Sequence, residues 1–100
     1  MYVVLTSKPG QFRTELDGAL EAVETWDYLF CGQLKAKFVI ARLAEEAKVR
    51  VVDETPPEVV NLVPTKFLPR FDSVEKARAE LKTLAGGGGV EASLVRQEGR

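Results

Sequence analysis

Histidine is absent from this chain, cysteine occurs once, and serine appears only at Ser7, Ser73 and Ser93. The missing histidine removes the commonest general base and the commonest metal ligand. A lone Cys31 builds neither an internal disulfide nor a zinc or iron–sulfur site within one chain, and it points to a reducing, cytoplasmic setting. The longest clean apolar runs, Tyr2–Leu5 and Phe38–Ala41, fall far short of the roughly 20 residues that span a bilayer. The N-terminus lacks a basic stretch followed by an apolar one, so neither a signal peptide nor a membrane role is expected. With 14 basic and 15 acidic side chains the net charge is -1, which gives no global pull toward nucleic acid or anionic lipid.

What is present suits one folded domain over 1–100. The 45% hydrophobic and 29% charged composition is ordinary for a globular protein of 100 residues. Tyr2–Leu5, apolar on both faces, predicts a central strand closed by the turn-like Ser7-Lys8-Pro9-Gly10. Residues 11–24 carry two conflicting signals. Phe12, Leu16, Ala19, Leu20 and Val23 recur at helical spacing, whereas Asp17-Gly18 is a hairpin signal. The helical reading is favoured narrowly.

Trp26, Tyr28 and Phe30 alternate as in a strand, and Gly32-Gln33 can turn the chain. Leu34, Ala36, Phe38 and Ile40 predict a strand to about Arg42, a turn at Glu45-Glu46, and a return strand from Lys48 to Asp53. An amphipathic stripe also allows helix over 35–47. Thr55-Pro56-Pro57-Glu58 has a capping-box pattern that permits a short helical turn before Pro64. The clearest element is a helix over 73–85, with Asp72 as N-cap, Glu75 completing the box and Gly86 ending it. A last strand places Val90, Ala92 and Leu94 inward, and residues 97–100 should fray. The expected fold is α+β: an antiparallel or mixed sheet of four to five strands, the C-terminal helix on one face, and a second helix at 11–24.

Four features invite a functional reading. Gly86–Gly89 follow a helix and precede a strand, the reverse of a phosphate-cradling loop, so they are read as a connector. Cys31 is read as a small buried residue, since no histidine is available to activate its thiol. Lys35, Lys37, Lys48 and Arg50, with Tyr28 or Phe30 nearby, would suit single-stranded nucleic acid if they lay on two paired strands. A solvated strand face explains them as well. The segregation of acidic residues in 11–30 from cations in 33–50 either pairs neighbouring elements or orients a protein partner.

The most informative stretch is Val59 to Phe71, apolar at seven positions yet broken by Pro64 and Pro69. Apolar side chains in such a segment either close the core or form an interface. Val63, Lys66, Phe67, Leu68 and Arg70 are the candidate partner-binding residues. The leading expectation is a non-catalytic accessory or regulatory protein that binds another protein or itself, with no cofactor. Nucleic-acid binding through Lys35, Lys37, Lys48 and Arg50 is the alternative. A small-ligand or enzymatic role at an oligomer interface is the third reading.

Overall fold

The computed structural model describes residues 1–16, 18–85 and 92–97. Among these residues, eight strands and one α-helix follow one another as β1 (Tyr2–Ser7), β2 (Phe12–Glu15), β3 (Leu20–Phe30), β4 (Gln33–Leu43), β5 (Lys48–Asp53), β6 (Val60–Pro64), β7 (Arg70–Phe71), α1 (Val74–Ala85) and β8 (Ala92–Gln97), with a 3-10 turn at Thr65–Phe67. The strands form two antiparallel sheets, ordered β7-β1-β4-β3-β8 and β2-β5-β6. The fold is α+β as expected, and β1 is an interior strand flanked by β4 and β7.

Alternation along β1 and β4 explains the layering. Val3, Leu5, Ala41 and Leu43 face one way and meet Val49 of β5, with Val63 and Leu68 packed against them. Ala36, Phe38 and Ile40 face the other way and meet Ala77 and Leu81 of α1. The five-stranded sheet is therefore the middle layer, buried on both faces, which is why its inner strands read as nearly continuous apolar runs.

β3 needs a device to serve both faces. Its register with β4 slips between Ala22 and Glu24, so Val23 is an extra, bulged residue. Leu20 lies in the core toward the small sheet, while Trp26 and Tyr28, of the same parity, pack toward the helix. The bulge reverses which side chains face which layer, and it turns Glu24 under α1.

Three expectations are corrected. Residues 11–24 are not helical. Phe12–Glu15 pairs with β5, and Leu20 onward belongs to β3. The helical stripe fails because Leu16 and Val23 are exposed, whereas Glu15 gains Arg13 on its own strand and Arg50 across the strand pair as partners. Asp17 itself lies outside the described residues. Second, β5 does not return along β4. The chain crosses at 44–47 into the other sheet, and no helix forms over 35–47 or 55–58. Third, Cys31 is exposed.

The helix begins one residue later than expected. Ser73 Oγ accepts the Lys76 amide at 3.1 Å, so serine caps the end and Asp72 instead pairs with Lys76 at 3.1 Å. The Gly86–Gly89 run and Val90 lie outside the described residues. Leu94 packs toward α1 as expected, and β8 continues through Gln97.

The β3–β4 turn shows why Cys31 is outside. Cys31 and Gly32 both have positive φ, 54° and 77°, as a two-residue type I′ hairpin turn requires. Cysteine is poorly suited to that conformation and asparagine is better suited. Cys31→Asn should raise stability by about 0.5–1 kcal/mol, read as a higher urea midpoint at unchanged slope.

Candidate protein-interaction surface

The small sheet ends on β6, which carries a chain segment with little to bury it. Val60 and Leu62 are 45% and 56% exposed, Val59 is exposed beside them, and Phe67 in the 3-10 turn is 71% exposed. These are large apolar side chains on one continuous stretch of chain. Val63, Leu68 and Phe71 of the same stretch pack against the core, so the segment is divided between a core lid and an exposed apolar face.

The turn that presents Phe67 is firmly held. Thr65 is fully buried. Its amide donates to the Ala47 carbonyl at 2.8 Å, and its hydroxyl accepts the Ala47 amide at 3.0 Å. The hydroxyl proton is shared between Glu46 and the Ala47 carbonyl, each at 3.1 Å. The Leu68 amide closes the turn on the Thr65 carbonyl. With Thr65 pointing in and Leu68 packed on the core, the residues between them must point out. Lys66 Nζ stands 5.4 Å from the Phe67 ring centroid, a cation–π contact that pre-orders the pair.

Of the five partner-binding candidates, Lys66 and Phe67 are exposed. Val63 and Leu68 pack against the core between the sheets. Arg70 pairs with Glu46 across the base of the turn. Arg70, with Thr65, holds the Glu46 carboxyl below its ordinary value. The groove beside the turn, lined by Glu46, Ala47, Lys48, Pro64 and Lys66, has a volume of about 570 Å³. Val60 and Leu62 were within the noted apolar stretch but outside the candidate set. Their strand alternation was the available signal, masked by the proline-led capping pattern before them.

The cations of the nucleic-acid reading are divided between the sheets. Lys35 and Lys37 are exposed on β4, where Lys37 stands opposite Asp27. Lys48 and Arg50 lie on β5, with Arg50 bonded to Glu15 at 3.2 Å. Tyr28 packs toward α1. The acidic and basic segments thus pair neighbouring strands, as Glu21–Arg42 at 2.7 Å also shows.

A second concave feature lies between α1 and β8. Trp26, Leu81 and Leu94 with Arg78, Lys82 and Arg96 line a space of about 430 Å³. At its edge the Glu24 carboxylate, 2% exposed, accepts Trp26 Nε1 at 2.9 Å and Arg78 Nε at 3.0 Å. Arg96 stands 3.6 Å away. Sequence reading gave no hint of this cluster, because Glu24 and Arg78 are distant in the chain and the bulge at Val23 is silent in the residue pattern.

Among the described residues, no three or more acidic or thiol groups converge as a metal site, and no helix is long and apolar enough to cross a membrane. Comparison with protein-family models, curated proteins and solved structures gives no match.

Proposed function

We propose that this chain is a non-catalytic accessory or regulatory protein that acts through protein–protein contact, using the face built from β6 and the Thr65–Phe67 turn. The observation that carries the reading is Phe67, 71% exposed on a turn whose neighbours on either side are fastened inward. An aromatic ring held open by a buried threonine and flanked by a cation has the make-up of an interface anchor. Val63, Leu68 and Arg70 support the turn from beneath, and Lys66 and Phe67 make the contact. The dispersal of Lys35, Lys37, Lys48 and Arg50 over two sheets favours this reading over nucleic-acid binding.

The test compares wild type with the Lys66→Ala/Phe67→Ala double variant as tagged baits in native lysate, with and without nuclease. Both side chains are exposed, so the variant should lose less than about 0.5 kcal/mol of stability. A nuclease-resistant protein partner should bind the variant at least about tenfold more weakly. Unchanged capture would refute this choice of surface. Capture abolished by nuclease or modest salt would transfer the function to the basic strands.

A further inference from the structure

Among the described residues no strand pairs with the outer edge of β6, and that edge has a definite hydrogen-bonding polarity. The Asp53 amide donates to the Val59 carbonyl at 2.9 Å, and the Thr65 amide to the Ala47 carbonyl at 2.8 Å. In an antiparallel ladder bonded and open rows alternate. With Val52 opposite Val60, Arg50 opposite Leu62 and Lys48 opposite Pro64, those three rows are the open ones. The backbone N–H and C=O groups of Val60 and Leu62 therefore point away from β5, at the outer edge of the sheet. Pro64 has no N–H and ends the usable edge.

Charge is disposed so that this edge complements itself. Residues 59–64 carry no charge, with Glu58 before them and Lys66 after them. Two copies related by a twofold axis run antiparallel, which brings Glu58 of each copy to the end where the partner's Lys66 lies. One register pairs the two outward-facing residues with each other: Val60 opposite the partner's Leu62, with Asn61 on the axis opposite the partner's Asn61. In that register Val60 and the partner's Leu62 exchange both backbone bonds, and symmetry repeats the exchange. Their side chains, 45% and 56% exposed in one copy, then form two apolar cross-strand pairs. Asn61 carries an amide able both to donate and to accept across the axis.

We propose that the partner of this face is a second copy of the chain, docked through antiparallel β6–β6 pairing into one continuous six-stranded sheet. The proposal rests on the reading of β6 and the Thr65–Phe67 turn as an interaction surface, and it specifies occupant and register. Edge pairing of this kind is the ordinary consequence of an exposed apolar edge strand.

The test uses the full chain. Sedimentation velocity should show a concentration-dependent dimer. Leu62→Pro deletes an amide that points away from β5 and takes no part in the ladder, so the small sheet keeps its ladder. It removes one bond from each copy's side of the interface and should weaken the dimer about thirtyfold. Leu62→Lys, which alters no backbone group, should act in the same direction. In a Cys31→Asn background, Asn61→Cys should oxidise to a covalent dimer. The axial row is a close, open one with Cα atoms about 4.5 Å apart, within disulfide reach. Lys82→Cys on the exposed face of α1 is the control and should remain largely monomeric. A chain monomeric at millimolar concentration would overturn the proposal. So would a dimer that tolerates both Leu62 variants and cross-links no better through Asn61→Cys than through Lys82→Cys. If self-association fails while Phe67-dependent capture of another protein persists, only the choice of occupant falls. If both fail, the surface itself was wrongly chosen.

Discussion

Leu81→Ala should destabilise the protein by about 3 kcal/mol. Leu81 is 1% exposed and, with Ala77, is the side chain by which α1 enters the core. Ile40 and Phe38 lie across from it on β4. Removing three carbons there leaves a cavity between a helix and a sheet that cannot close without moving the helix. Leu84, one turn on, is more than half exposed, and Leu84→Ala should change stability by less than about 0.5 kcal/mol. Urea denaturation of the two variants measures the contrast. Equal effects would mean that α1 is not seated as described.

Arg78→Ala should lower stability at neutral pH, and the loss should shrink in acid. Glu24 is buried beneath α1 and Arg78 is its main partner, with Trp26 Nε1 second and Arg96 more distant. Hydrogen bonding from Arg78 comes first among the causes that hold the Glu24 carboxyl below its ordinary value of 4.5. Loss of the arginine leaves a buried carboxylate poorly compensated.

The sign of the pH dependence follows from the lowered value. Ionised Glu24 favours the folded state, so its contribution is complete above the unfolded carboxylate value of 4.5. It is lost as pH falls through the lower folded value. Wild type should therefore lose stability between about pH 5 and pH 3 more steeply than Glu24→Gln. The penalty of Arg78→Ala should narrow over the same interval, as protonation removes the charge that the arginine compensates. A penalty constant from pH 7 to pH 3 would show that the pair contributes packing only. Denaturant titrations at several pH values decide between the two.

Local chemistry was legible where it was consistent with itself. The 73–85 helix could be read to within a residue because the capping signals at Asp72-Ser73 and Glu75 mark its start. Its start shifted only because Ser73 competes with Asp72 for the same role, and serine reached the Lys76 amide. β1, β3 and β4 were readable from alternation and aromatic content. Phe67 stood out because prolines on either side left an apolar ring without a regular element to bury it.

Residues 11–24 were misread because helical spacing and hairpin chemistry overlap there. What decided between them was β5, far along the chain, which offers Arg50 to Glu15 and a full ladder to Phe12–Glu15. Propensity yields to pairing when the partner is distant. The buried reading of Cys31 failed for a related reason. A free cysteine is usually buried, but here it occupies a hairpin corner whose backbone conformation keeps it outside.

By itself, then, the sequence determined the class of fold, the C-terminal helix, the strands β1, β3, β4 and β5 and the apolar stretch at Val59–Phe71. It also determined the absence of histidine and of any cysteine pair. Only the tertiary structure decided that the strands divide into two sheets, that a bulge at Val23 turns Glu24 beneath α1, and that β6 lies at the edge of its sheet among the described residues. Residue patterns report which side chains prefer burial, a local property. Sheet membership, bulges and edges depend on which distant backbone supplies the hydrogen bonds, and no local pattern encodes that choice.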